Sequence, residues 1–213
     1  CKNYEEISGD KIIKFVKIAE KVSKKFKVQI AIAPPQHLIG LVANSSILIL
    51  SQHIDNSKVG STTGFIVPEL LKKSKVKGSL INHSEHRITS KEIKKLIIKL
   101  KELKMISILC VKDVAESKKY VKFNPDYIAI EPPELIGSGK AISTERPELI
   151  TKAATVINNS KNKTKLLCGA GIVSGEDVSK AVELGSKGIL VASGIVKAKN
   201  WEKIISEFAK ALV

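Results

Sequence analysis

The sequence predicts an α/β protein, a (β/α)8 barrel whose first β-strand lies upstream of Cys1, built as a single domain over residues 1–213. Two observations lead there. Short apolar runs alternate strictly with amphipathic helical stretches, and that order produces a parallel sheet with helices outside it. An opening helix precedes the first of seven such strand–helix units, so the eighth strand is expected before residue 1. A barrel short of one strand leaves two flanking strands with unpaired edges. A doubly wound sheet is the alternative, but it usually carries a glycine-rich phosphate turn after its first strand, and none follows Ala33.

The elements follow in order. Ser8 or Asp10 caps a helix running to about Phe26, with Ile12, Phe15, Val16, Ala19 and Val22 at helical spacing. Lys27 to Ala33 reads as a buried strand stopped by Pro34-Pro35, and a short helical segment from Leu38 to Ala43 leads to a second strand, Ile47 to Gln52. A polar loop from His53 to Thr63 precedes a helix over Phe65 to Lys73 and a strand over Gly78 to Asn82. Thr89 and Glu92 have capping-box spacing ahead of a helix bearing Ile93, Leu96, Ile97, Leu100 and Leu103. Then come a strand (Ile106 to Val111), a helix (Val114 to Val121) and a strand (Tyr127 to Ile130). Thr144 to Ile157 reads as one helix with Pro147 in its first turn. A strand, Lys165 to Cys168, runs into Gly169-Ala170-Gly171, and Ser174 caps a helix through Val178, Ala181 and Val182. Gly188 to Val191 is the last strand, ending in Ala192-Ser193-Gly194, and a helix with Trp201, Ile204, Ile205 and Phe208 closes the chain.

Composition narrows the function classes. No apolar run approaches the ~20 residues of a membrane span, and no secretory signal pattern opens the chain. Cys1, Cys110 and Cys168 are too few and too scattered for a disulfide framework or a zinc site, which suits a cytoplasmic protein and gives no metal. The net charge of +15 raises nucleic acid as a partner, yet aromatic residues make up only 4% of the chain and offer few stacking platforms. The lysines fall on polar helix faces, so the reading is a solvated basic surface that draws in small anions, with no nucleic acid and no membrane as partner.

In a barrel of this kind the active site forms at the C-terminal ends of the strands. Reading the residues there yields Lys2, Gln52, Asn82-His83, Glu131, Gly169-Ala170-Gly171 and Ala192-Ser193. Glu131 ends an apolar strand and is followed by Pro132-Pro133-Glu134-Leu135-Ile136-Gly137-Ser138-Gly139, with a stiff entry and a loose exit. That suggests a base under a lid, although a surface glutamate fits the stretch equally well when taken alone. The two small-residue turns in consecutive units suggest a phosphate cradle, and the absence of a Walker-type lysine argues against a nucleoside triphosphate. His83 falls ahead of a capped helix, a setting for a neutral ring that donates a hydrogen bond to a carbonyl oxygen. His37 and His53 sit in polar loops and His86 points into the next helix, so none is assigned a role.

These motifs resemble triosephosphate isomerases of the short archaeal form. The resemblance runs from Lys2-Asn3-Tyr4 through Asn82-His83-Ser84-Glu85 and Ile130-Glu131-Pro132-Pro133-Glu134-Leu135-Ile136-Gly137-Ser138-Gly139 to Leu190-Val191-Ala192-Ser193-Gly194. It implies a TIM barrel that interconverts dihydroxyacetone phosphate and D-glyceraldehyde 3-phosphate with no cofactor and no metal. By resemblance Glu131 is the base, His83 the electrophile and Lys2 the positive charge near substrate, with Glu85 in support. Phosphate binding carries over to the backbone of Ile136, Gly171, Ala192 and Ser193, beneath the lid Pro132 to Gly139. The abbreviated helices accompany homotetramers in that branch. Two other readings stay open: a different phosphate-binding barrel isomerase or lyase, and a basic binding module that has kept the barrel.

Overall fold

The computed structural model describes residues 1–213. Seven parallel strands form one sheet in sequence order: β1 (Ala31–Ile32), β2 (Leu48–Ser51), β3 (Gly78–Ile81), β4 (Ile106–Val111), β5 (Tyr127–Ile130), β6 (Lys165–Gly169) and β7 (Ile189–Leu190). The helices are α1 (Lys11–Phe26), α2 (Ile39–Val42), α3 (Pro68–Lys73), α4 (Ser90–Glu102), α5 (Val114–Tyr120), α6 (Ile142–Glu145), α7 (Pro147–Asn159), α8 (Gly175–Glu183), α9 (Ser193–Val196) and α10 (Trp201–Lys210). This is the α/β barrel architecture the alternation predicts, and it excludes the doubly wound order. β1 and β7 do not pair with each other, and an apolar cavity of about 470 Å³ lies between them.

Side-chain parity along the strands sorts the core into two layers. Leu50, Leu80, Ile108, Cys110, Ala129 and Leu167 pack together inside the curve of the sheet. The alternate residues, among them Ile81, Leu109, Ile128 and Leu166, pack outward against the helices. Because period-2 alternation continues past the last ladder residue, Glu131 shares the inner face with Ala129, and Gly169 shares it with Leu167. The amide of Glu131 still bonds to Val111 O at 2.8 Å, so the strand geometry reaches the glutamate itself.

The helices bury the expected stripes. α1 buries Ile12, Phe15, Val16, Ala19 and Val22, and α4 buries Ile93, Leu96, Ile97 and Leu100. Thr89 Oγ1 accepts from Glu92 N, while Thr89 N donates to Glu92 Oε2, completing the predicted capping box. Ser174 and Asp177 make a second box at the start of α8.

Several boundaries differ. β1 is far shorter than Lys27 to Ala33, because Lys27 adopts the left-handed conformation (φ 55°) that ends α1, and β1 has one neighbour only. The helix expected over Phe65 to Lys73 begins at Pro68; Asp55 accepts from Ile66 N at 2.6 Å and holds Phe65 and Ile66 in the preceding loop. The single helix expected over Thr144 to Ile157 is two, broken at Arg146 (φ −140°, ψ 53°), since a proline forces the residue before it out of the helical region. Pro147 thus opens its own helix. Val182 is 37% exposed, outside the stripe that α8 buries.

Candidate functional site

A cavity of about 520 Å³ opens at the carboxyl-terminal ends of the strands. Its lining gathers the predicted residues Lys2, His83, Glu85 and Glu131 with Ile136, Gly171, Ala192 and Ser193. Of the remaining lid residues, Gly137 and Gly139 also line it, whereas Pro132, Pro133, Glu134, Leu135 and Ser138 do not.

Glu131 is 7% exposed, and its Oε2 has no hydrogen-bond partner. Burial raises its carboxyl above the ordinary range, against the opposing pull of His83, Cys110 and Lys2. The Cys110 thiol, kept protonated chiefly by its own burial, abuts the same group. Room for the carboxyl comes from Gly169 on the neighbouring strand: a Cβ there would stand 2.5 Å from Glu131 Cγ. A carboxylate that burial destabilises in its charged form takes a proton more readily than one in water.

His83 places Nε2 3.9 Å from Glu131 Oε2. Its Nδ1 accepts from the backbone N–H of Glu85 at 3.2 Å, and a nitrogen that accepts carries no proton, so in the neutral ring the hydrogen sits on Nε2 and faces the cavity. The amide responsible belongs to a turn closed by His86 N to His83 O at 2.8 Å; α4 begins only at Ser90. Lys2 Nζ lies 2.5 Å from Glu85 Oε1, while Glu85 Oε2 lies 3.9 Å from His83 Nδ1. Glu85 therefore ties the lysine to the histidine's segment. Gln52 anchors the backbone before Lys2, donating from Nε2 to Cys1 O and to Ala33 O at 3.2 Å.

On the other side of the cavity, Gly171 (φ 71°) approaches the lid's exit so closely that a Cβ would stand 1.8 Å from Lys140 O. Ser193 opens the four-residue α9, in which Ile195 N and Val196 N already donate to Ala192 O at 3.1 and 2.9 Å. Within the lid, Pro133–Leu135 forms a 3-10 turn, Gly137 and Gly139 both take positive φ, and Ser138 Oγ donates to Leu135 O at 2.8 Å.

The family model described as triosephosphate isomerase matches residues 1–208. A triosephosphate isomerase of Cenarchaeum symbiosum is 55% identical over 212 residues, covering 100% of this chain and 95% of that protein. One from Methanocaldococcus jannaschii is 44% identical over 210 residues, covering 98% and 96%, and one from Saccharolobus solfataricus is 42% identical over 208 residues, covering 97% and 91%. The chain belongs to the triosephosphate isomerase family.

Sequence reasoning missed part of the cavity lining. His53, read only as a residue of a polar loop, is buried there, lines the cavity and stacks on His86 with ring centroids 4.0 Å apart. His86 likewise lines the cavity instead of pointing into α4. Nothing local in the sequence distinguishes these two rings, because the stack joins residues of different loops. Gly169 was read as part of a phosphate turn, yet its own space belongs to Glu131. The glycine spacing was visible; the neighbour it accommodates was not.

Proposed function

We propose that this protein interconverts dihydroxyacetone phosphate and D-glyceraldehyde 3-phosphate by moving a proton between adjacent carbons. The observation that carries the reading is the buried, unpartnered Glu131 Oε2 facing His83 Nε2 across the cavity. Glu131 removes a proton from the carbon next to the substrate carbonyl while the Nε2–H of His83 donates a hydrogen bond to the carbonyl oxygen, where negative charge develops. In the resulting enediol or enediolate the hydroxyl proton passes from one oxygen to the former carbonyl oxygen, the Nε2–H of His83 giving a proton to the one and recovering it from the other. Glu131 returns its proton to the neighbouring carbon, so no atom is lost and no cofactor or metal enters.

Lys2 supplies positive charge near the substrate, and Glu85 holds it there. The phosphate lies among the amides of Ile136, Gly171, Ala192 and Ser193. Pro132 to Gly139 acts as the lid that excludes water and keeps the enediol from losing its phosphate. The protein acts as a homo-oligomer, a tetramer in this reading, in the cytoplasm. No helix is long and apolar enough to cross a membrane. Glyceraldehyde 3-phosphate turnover in an assay coupled to dihydroxyacetone phosphate tests the activity, and light scattering of the eluted protein tests for four chain masses. Salt-sensitive nucleic-acid binding without turnover would favour the basic-module reading instead.

A further inference from the structure

Asn82 links the last residue of β3 to His83, and three features of it are unusual together. Its φ is 62°, in the left-handed region that asparagine tolerates better than most residues. It is 1% exposed. Both ends of its side-chain amide are used: Nδ2 donates to Cys110 O on β4 at 3.0 Å, and Oδ1 accepts from Ile88 N at 3.1 Å.

The backbone twist has a directional consequence. Leu80 faces the inside of the sheet and Ile81 the helices, so strand parity would send the residue after Asn82 outward, away from the cavity. The left-handed turn breaks that parity, and His83 faces Glu131 instead. The amide then pins the turn twice, to the start of the segment leading into α4 and to the strand that neighbours Glu131's own. We propose that Asn82 is a positioning residue for His83: its left-handed backbone turns the imidazole over the cavity, and its side-chain amide locks that turn between Ile88 and β4. The inference rests on the isomerase reading above.

The position demands a residue that accepts positive φ, donates to one backbone carbonyl and accepts from one backbone amide. Glycine meets the first demand only. Aspartate meets the first and third, but sets a carboxylate oxygen against Cys110 O. Those two shortfalls define the test: glyceraldehyde 3-phosphate kinetics, competitive inhibition by inorganic phosphate and thermal melting for wild type, Asn82→Gly, Asn82→Asp, His83→Gln and the double variant Asn82→Gly/His83→Gln.

A displaced imidazole lowers kcat by about ten- to a hundredfold in each Asn82 variant while KM and the phosphate inhibition constant stay within about twofold. The double variant turns over no more slowly than His83→Gln alone, since the two changes remove one function. Wild-type kcat in a folded Asn82 variant, parallel loss of KM and phosphate affinity, or additive loss in the double variant overturns the proposal. If Asn82→Gly does not melt cooperatively, Asn82→Asp carries the test, and failure of both to fold marks a folding residue and overturns it too. An inactive wild type sinks the isomerase reading and this inference with it, whereas an active wild type with indifferent variants sinks only the inference.

Discussion

β3, β4, β5 and β6 are joined by four register pairs at each interface, whereas β1 meets β2, β2 meets β3, and β7 meets β6 through two pairs each. The site divides along the same line. His83 and Glu131 leave β3 and β5, in the middle of the sheet, while Lys2 sits beside β1, and Ala192 and Ser193 follow β7. The two groups assigned to proton movement stand on long ladders that leave little freedom in their separation. Those assigned to the substrate's charge stand on flanks where side-chain bonds, such as those of Gln52, take over from the ladder. Bond-making chemistry tolerates far less displacement than anion attraction, and the placement follows that tolerance.

The largest break in this division is expected at the base. Glu131→Gln should lower kcat by about a thousandfold or more, within the range of a lost general base. Wild-type kcat/KM should fall on the acid side at a pH above the ordinary carboxylate range, because burial holds the Glu131 carboxyl up. The same shift has a stability sign. A carboxyl with a raised folded pKa contributes stability that is complete below its unfolded pKa and is lost as pH rises through the folded value. Glu131→Gln should therefore melt higher than wild type at pH 7, with the gap closing near pH 4. An equal melting temperature at both would show that the buried charge is compensated.

Next in size is Gly169→Ala, which leaves every proposed catalytic group in place but sets a methyl 2.5 Å from Glu131 Cγ. A shift of the carboxyl by about 1 Å predicts roughly a hundredfold loss of kcat, read in the same coupled assay. A loss of less than threefold would mean the middle of the sheet is softer than its ladders suggest.

A flank substitution should behave differently. Gln52→Ala removes the donor to Cys1 O and Ala33 O and frees the segment before Lys2. KM should rise several-fold with a smaller change in kcat, and losing about 1 kcal/mol of hydrogen bonding corresponds to roughly 2–4 °C in melting temperature. A kcat loss matching that of Gly169→Ala would erase the distinction between middle and flank.

The smallest expected effect concerns His53. Burial first, and His86 second, lower its pKa below 6.5 against the pull of Asp55. A histidine with a depressed folded pKa contributes stability present above pH 6.5 and lost as pH falls below it. Denaturation midpoints at pH 7.5 and 5.5 should differ more for wild type than for His53→Gln.

Much of this molecule was legible before folding. The strand–helix alternation, the capping box at Thr89 and Glu92, the stripes of α1 and α4, and the placing of His83, Glu131, Gly171, Ala192 and Ser193 just past strand ends all follow from local chemistry and periodicity, whereas the strand expected ahead of Lys2 is not among the elements seen. Periodicity reports what a residue does along its own element, so it put Glu131 just past β5 on the inner face but could not aim His83, which lies beyond the Asn82 turn. It also joined α6 to α7, because the apolar spacing runs on past Arg146 and only the steric rule for a residue before proline separates them.

Relations between elements were decided by the tertiary structure alone. Gly169 matters because β6 lies beside Glu131, Asn82 because β4 presents the carbonyl of Cys110, and His53 because another loop brings His86 against it. The sequence by itself determined the strand–helix order and put Glu131 and His83 just past the ends of β5 and β3, since both depend on patterns within short segments, while the roles proposed for them rest on the family resemblance. The distance between Glu131 and His83, the burial that raises the Glu131 carboxyl, and the double anchoring of the Asn82 turn depend on contacts across segments. Only the packed sheet brings those segments together.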